Sequence, residues 1–460
     1  MITCKKCKIM LDNEQDFRTP FCWNFKQNGD LLMSQRLDNI IDILTNNTVL
    51  AQWFSPMQTA LEKVRFSDKK FRTLSMSSFI LLNCERQLQS MGTLREHIQH
   101  LFHLDDSATE SALARSTASD ALSSRMRAGI LAEATERLAN AAAQVLPDRL
   151  SGVDGIGDRP IYAMDCTYQE ESSHYYPVTP KQGGQDNSKG HLQLATFDLR
   201  HGIPLNTDIC THSVSEIRFI KEYWSASSFT EQKNAIFVVD RAFIDAYYWD
   251  IRNKNYGITT ITRMKSNLNY EVIKDFKIKK SSRKQGIVLD QKIKLDSSSQ
   301  DWRLIGYYAD SGEYYEYLTN EFNLKPGIIA FLYHRRWDEE KYFDNYKNDL
   351  ANSKAWGKSP TAIQQQAMIG MVTFILTKMF CHLHTQHFGL PDGGSSQNNK
   401  HKIKQEEFID GITKDMWKAF HTKLSKVTKQ VWRFLKECMC KNHCQSLYDR
   451  QLRPILIGYM

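Results

Sequence analysis

The chain has no apolar run of membrane-spanning length. Its longest uncharged apolar stretch, Ala367 to Thr377, stops at Lys378, short of the ~20 residues a bilayer requires, so no membrane partner is expected. An apolar signal region is missing too: Cys4, Lys5, Lys6, Cys7 and Lys8 open a polar N-terminus, and an intracellular protein is the expectation. Cysteine is sparse, ten in 460 residues, which excludes a disulfide scaffold and fits a reducing compartment. No internal repeat is present. What the chain does have is 41% hydrophobic and 11% aromatic residues, enough to offset the entropy of folding and exclude wholesale disorder. Its length predicts two or three units rather than one core. Sixty Lys+Arg against fifty-two Asp+Glu leave a formal charge of +8, which tilts the expectation toward a polyanion partner and says nothing of the fold.

Residues 1–33 form a cysteine-containing N-terminal segment. Residues 34–153 read as a helical unit, with apolar positions three and four apart through Leu37, Ile40, Ile41 and Leu44 and again through Ile130, Leu131, Ala134 and Leu138. Between them, after a cap at Asp105-Asp106-Ser107, a small-residue helix carries Arg115, Ser116, Thr117, Ser119, Ser124, Arg125 and Arg127. These suit either phosphate contacts in a DNA-binding helix-turn-helix or a solvated face. Asp154 to Pro160 is a turn or linker. Strand candidates follow at Ile161–Met164, His191–Leu199, Ile203–Cys210 and Ala235–Val239, with helical patterns at Ser215–Trp224 and Phe243–Ile251 and an apolar run at Tyr256–Ile261. This alternation predicts an α/β domain with a mixed sheet. Residues 265–322 break the rhythm and read as a β-rich insertion, so the domain divides into 154–264 and 323–385. Within the insertion Lys277, Lys279, Lys280, Arg283 and Lys284 suit a phosphate-tracking loop or a solvated hairpin tip. A helical C-terminal region, 386–460, contains a Gly/Ser/Asn/Lys stretch from Asp392 to Lys402 that reads as a loop.

Asp165 and Asp240 each follow a short apolar run, which predicts carboxylates at strand ends on the sheet rim, where open α/β sheets place their ligands. A carboxylate there is costly to desolvate without a cation, and a divalent metal supplies one. The alternative for each is a strand-terminating turn residue. Further on, Tyr333, Arg336, Glu340 and Lys347 fall at about 0°, 300°, 340° and 320° on a helical wheel, one stripe that is no hydrophobic core face. It is a solvated ion-pair ladder or the wall of a phosphate-handling site. Asp344, at about 20°, is a rival carboxylate on the same stripe.

These residues carry a resemblance to the bacterial insertion-sequence transposases of the DDE superfamily that have the YREK signature, Tyr-x2-Arg-x3-Glu-x6-Lys, matched here at every spacing. Leu318-Thr319-Asn320 resembles the element before the signature helix and Trp356-Gly357-Lys358-Ser359-Pro360 the one after it. Ala163-Met164-Asp165-Cys166-Thr167 and Val238-Val239-Asp240-Arg241-Ala242-Phe243 resemble the two Asp strands, and Gly190-His191-Leu192 through His201-Gly202-Ile203-Pro204 the strands between them. The similarity covers roughly residues 155 to 385. It implies a ribonuclease H-like core in which Asp165, Asp240 and Glu340 are catalytic and hold two Mg²⁺ ions, with Mn²⁺ as a substitute. One metal would activate a water or 3′-hydroxyl and the other stabilise the leaving oxygen. Arg336 and Lys347 would clamp terminal phosphates, Tyr333 would bond the same strand end, and Arg241, Lys279, Lys280 and Arg283 would add DNA contacts. The implied partners are double-stranded DNA, both terminal inverted repeats and target, and a second copy of the chain in a synaptic homodimer. The implied setting is the bacterial cytoplasm at the nucleoid. The implied activity is strand cleavage and strand transfer, by a hairpin or by direct attack on target DNA.

Two other activities compete: a catalytically lapsed, sequence-specific DNA-binding derivative, and a nuclease of the same fold that cuts without joining. The complete carboxylate set favours the active enzyme, and the long flanking helices favour end recognition. Weaker constellations are partial zinc sites at Cys4, Cys7 and Cys22 and at Cys438, Cys440, His443 and Cys444. A Cys166 nucleophile is weighed against simple packing, and His382, His384 and His387 are read as a polar helix face.

Overall fold

The computed structural model describes residues 48–67, 71, 73–103, 113–170, 190–210, 215–224, 233–309, 311–350 and 352–387, with 408–409, 412–413, 431 and 435. The N-terminal and C-terminal cysteine groups, the Asp105 cap, the 392–402 stretch and the helix start at Ser34 lie outside the described residues.

Among the described residues five helices come first: α1 (Thr48–Glu62), α2 (Met76–Leu88), α3 (Leu94–His103), α4 (Arg115–Ser123) and α5 (Arg125–Val145). Short hydroxyl side chains set two of the starts. Ser75 accepts from the Ser78 amide at 3.0 Å at the head of α2, and Ser124 accepts from the Arg127 amide at 3.4 Å at the head of α5. Ser124 is extended, so the small-residue helix is two helices broken at one residue. Arg127 is withdrawn from any phosphate role. It is buried at 6% exposure, donates to the Ser75 carbonyl at 3.4 Å and also to that of Leu74, and lies 4.2 Å from the Phe71 ring centroid. Arg115, Ser116, Ser119 and Arg125 are exposed.

The remaining described elements are β1 (Ile161–Glu170), β2 (Gly190–Asp198), β3 (Ile203–Cys210), α6 (Glu216–Trp224), β4 (Ile236–Val239), a 3-10 turn (Arg241–Phe243), α7 (Ala246–Tyr256), β5 (Thr259–Arg263), β6 (Tyr270–Asp275), a short α8 (Lys280–Lys284), β7 (Ile287–Leu295), β8 (Asp301–Tyr308), β9 (Tyr314–Thr319), α9 (Pro326–Arg335), α10 (Trp337–Asp344), a π turn (Asn345–Asp349), α11 (Pro360–His387) and a separate pair, β10 (Phe408–Ile409) and β11 (Ile412–Thr413). The sheet has nine strands in the order β3-β2-β1-β4-β5-β9-β8-β7-β6. β1, β2 and β3 are antiparallel, while β4 and β5 run parallel to β1. Three antiparallel strands followed by two parallel ones give the ribonuclease H-like α/β core. The β-rich stretch does not form a sheet of its own. β9 pairs antiparallel with β5, Ile261 opposite Thr319, so the meander continues the same sheet.

The long apolar run at Ala367 lies in α11. Its Pro360–Leu383 portion is long and apolar enough to cross a membrane, yet 89% of its most apolar window is buried inside the protein. It is a core helix, packed against β3, α5, α2 and α1. The Trp53 indole donates to Thr377 Oγ1 at 3.3 Å, tying α1 to it. One apolar cluster therefore runs from α1 and α2 through α11 and α9 to one face of the sheet, and a second fills the other face beneath α6 and α7.

Candidate active site

The sheet registers assemble the site. Met164 pairs with Val239 and Val238 with Ile261 in parallel, so the next level places Asp165, Asp240 and Arg263 side by side across β1, β4 and β5. Asp165 does not end its strand, as its apolar run had suggested: β1 continues to Glu170. What ends beside it is the β4 ladder, which leaves Asp165 at an opening in the sheet flanked on that side by the turn after Val239. Asp240 caps this turn, accepting from the Ala242 amide at 3.5 Å.

The signature helix meets the rim from the other side. Arg336 stands between α9 and α10 with its guanidinium almost wholly buried. Nη1 donates to Asp165 Oδ2 at 3.0 Å, and Nη2 donates to Glu340 Oε1. Asp165 and Glu340 thus share one cation. The side-chain exposures, 18% for Asp165 and 44% for Glu340, make Asp165 the inner and Glu340 the outer member. Burial pushes Asp165 up to about 6; Arg336 and the Cys166 amide oppose the rise, and the negative charges of Asp240 and Glu340 add to it. Burial works against the Arg336 charge, but Tyr333, Asp165 and Glu340 together hold it above the ordinary arginine range. The Tyr333 ring lies 5.6 Å from that guanidinium, and its buried hydroxyl makes no hydrogen bond of normal geometry. Burial, with Asp240 contributing, pushes Tyr333 up to about 12.

The structure therefore brings together Asp165, Asp240, Glu340, Arg336 and Tyr333. Lys347 lies in a π-helical turn, Asn345–Asp349, and is half-buried. The ideal 100° wheel fails there because each residue of a π turn advances less. Asp344 is exposed and accepts from Asn348 Nδ2 at 2.6 Å. Arg241 is exposed on the turn after Asp240. Lys279, Lys280 and Arg283 are exposed around α8, between β6 and β7 at the far edge of the sheet. Burial raises the Cys166 thiol well above its usual value, which disfavours the thiolate that a nucleophile needs.

Three residues at the site escaped the sequence reading. Glu216 opens α6 and is pushed up to about 7 by burial and by Asp165 and Asp240. Arg263 shares the rim level and lies 4.9 Å from the Tyr315 ring. Glu339 is fully buried, and both of its carboxyl oxygens lack a hydrogen bond of normal geometry. Burial, then Asp165, raises it well above the carboxylate range. The only sequence signal for Glu339 is that it is the twin of Glu340.

Among the described residues no three His, Cys, Asp or Glu side chains converge closely enough to hold a metal ion in this arrangement. The donor chemistry nonetheless fits a hard divalent cation. Asp165, Asp240 and Glu340 offer oxygen only, and a guanidinium already takes the place of a cation between two of them.

Residues 164–376 match a family model described as Transposase DDE domain. The match contains Asp165, Asp240 and the signature helix and lies inside the 155–385 stretch that carries the resemblance. No curated protein matches the chain in sequence. Among solved structures the chain is similar to a cryo-EM structure of a piggyBac transposase synaptic complex with hairpin DNA, at 12% identity and a TM-score of 0.39, over 94% of this chain and 84% of that one.

Proposed function

We propose that the protein is a DDE-type transposase of the YREK subgroup that cleaves DNA at the ends of its element and transfers the strand to a target by a cut-and-paste route. The observation that carries this reading is the convergence of Asp165 and Glu340 on Arg336 beside Asp240, at an opening in a ribonuclease H-like sheet. Asp165, Asp240 and Glu340 would hold two divalent ions, Mg²⁺ by preference. Bound there, the metals supply activation of the attacking oxygen and charge neutralisation at the scissile phosphate.

The chain's own residues do the rest. Arg336 balances the acids before DNA arrives and offers a planar fork of donors to a phosphate. Tyr333 presents its hydroxyl beside that fork, and Lys347 contributes a cation farther along the same segment. Arg241, Lys279, Lys280 and Arg283 are exposed cations for the flanking duplex, whose neutralised phosphates would make binding steeply salt-dependent. Joining two ends requires a second copy of the chain in the reacting complex.

The test is incubation of the purified protein with DNA flanking its own gene, in Mg²⁺ and in EDTA, comparing wild type with Asp240→Ala on a strand-resolving gel. Metal-dependent nicking at the element ends, lost in the variant, supports the proposal, and hairpin or joined products identify the route. Retarded but uncut DNA in the wild type refutes an active enzyme and leaves a lapsed DNA-binding derivative.

A further inference from the structure

Away from the acidic rim, a cavity of about 260 Å³ lies where the β6–β7 connection meets the start of α9. Its walls are of two kinds. Phe276 and Phe322 stand edge to face with centroids 6.4 Å apart, and Phe322 remains 39% exposed. Arg303 lies among the lining residues with its charge spent. Asp290 accepts from Nε and Nη2 at 2.8 Å each, and the Leu324 carbonyl accepts from Nη1 at 2.7 Å. Lys277 and Lys279 also line the cavity and enter no ion pair among the described residues. Two further ammonium groups, Lys274 and Lys292, lie 5.9 and 6.0 Å from the Phe276 and Phe322 rings.

Aromatic walls alone would suit an apolar ligand, and lysines alone an inorganic anion. An exposed phenyl face beside two uncommitted ammonium groups suits a planar heterocycle that carries a phosphate. We propose that this cavity is a nucleotide site, taking a base against Phe322 and its phosphate on Lys277 and Lys279. The inference rests on the DNA-processing reading and deepens it. Helix α9 begins at the cavity with Pro326 and ends beside Arg336. Its ten residues span about 15 Å at ~1.5 Å each. A strand whose reacting phosphate lies at the acids would bring a nucleotide roughly four or five steps away to the cavity mouth, at ~3.4 Å per step.

The experiment uses the full chain and two probes: single-stranded 12-mers of the element-end sequence with 2-aminopurine at successive positions, and free AMP. Phe322→Ala should weaken 12-mer binding about tenfold, the loss of one stacked base. Lys277→Ala/Lys279→Ala should lower the salt slope by about 0.7, since the two lysines share one phosphate and each phosphate contact to a single strand contributes ~0.7. The 2-aminopurine signal should change at one or two positions in wild type and not in Phe322→Ala. A response confined to the 12-mers assigns the site to a nucleotide within DNA, and an AMP response lost in the same variants assigns it to a free nucleotide. If both variants, melting as wild type does, bind both probes unchanged, the nucleotide site is overturned. The exposed lysine pair keeps the test valid should Phe322→Ala fail to fold. Wild-type binding to element-end duplex is measured alongside; its absence overturns the transposase reading itself, an outcome distinct from failure of the cavity.

Discussion

Replacing Arg336 with methionine should destabilise the metal-free protein by about 3 kcal/mol at neutral pH, and by much less at pH 5. The magnitude follows from the exposures. Removing one partner of a buried ion pair costs about 3–5 kcal/mol because the other charge is left uncompensated. Asp165 is buried enough to claim most of that. Glu340, at 44% exposure, adds little because water takes over from the guanidinium. The pH dependence has a definite sign. Asp165 sits at about 6 in the native state, above an unfolded value of ~3.9, so the native state keeps a proton that the unfolded chain has already lost. Its contribution is fully present below about pH 4 and falls by about 3 kcal/mol as pH rises through 6. Glu216, pushed up to about 7, acts in the same direction. Without Arg336 the Asp165 value rises further, so the variant and wild type should converge in acid and diverge above pH 6. Denaturant melts from pH 5 to 8, with and without Mg²⁺, read the effect. Mg²⁺ should recover most of the loss in Arg336→Met and stabilise wild type less, because wild type already carries a cation there. Parallel stability curves for the two proteins, with equal responses to Mg²⁺, would refute the idea that the guanidinium compensates the acids.

Glu340→Gln should abolish strand cleavage and leave end binding intact; a variant that still cuts would remove Glu340 from the ligand set. Lys347→Ala should weaken duplex binding and reduce the slope of log affinity against log salt by about 0.9, and an unchanged slope would exclude a phosphate contact. Glu339→Leu should stabilise the protein by about 1–3 kcal/mol at pH 7.5, because an apolar side chain of similar size replaces a fully buried carboxyl whose burial the Asp165 amide and the Arg336 charge only partly offset. A destabilised Glu339→Leu in urea melts would mean that the Asp165 amide and the Arg336 charge outweigh the cost of burying the carboxyl.

The signature residues were legible because their spacing is a local property of a helix, and Asp240 was legible because an apolar run ended in an acid. Asp165 lies beside an opening in the sheet, but not because its own strand ends there. Periodicity shows where apolar residues stop, but the opening beside Asp165 arises because β4 is only four residues long, a fact about the neighbouring strand. The π turn that carries Lys347 has no composition signal. Arg127 looked like a phosphate ligand because sequence does not reveal that Phe71 and the Leu74 carbonyl lie against it. Glu216 and Arg263 join the site only through sheet register and chain reversal, which no local pattern encodes. The continuation of the sheet through β9 escaped notice likewise, since pairing with β5 links residues more than fifty positions apart.

The site is held by a buried polar network that makes the N-terminal helices part of its support. Gln169, on β1 four residues past Asp165, donates to the Asn352 carbonyl at 3.0 Å, just beyond the signature segment. The Asn352 side chain accepts from Gln366 of α11 at 2.8 Å and from Gln87 of α2 at 3.4 Å, and Thr373 donates back to Gln87 at 3.1 Å. Arg86 lies 4.0 Å over the Trp356 ring. Tyr346 packs so closely on Gly370 that a Cβ there would come within 2.4 Å of its ring. The strand bearing Asp165 and the helix bearing Glu340 are thus fixed to the same two helices, α2 and α11. Groups that must act within tenths of an ångström of each other need supports that do not shift independently. A cut anywhere between α2 and β1 should therefore impair the acidic rim itself, and not merely detach a DNA-recognition module. A fragment beginning at residue 154 would lose Gln87 and Trp53 from the α11 interface and Arg86 from Trp356, leaving the buried amides of Asn352 and Gln366 and the Thr377 hydroxyl facing water. Such a fragment should fail to melt cooperatively, whereas one that melted as sharply as the full chain would show that the network is not needed to hold the site.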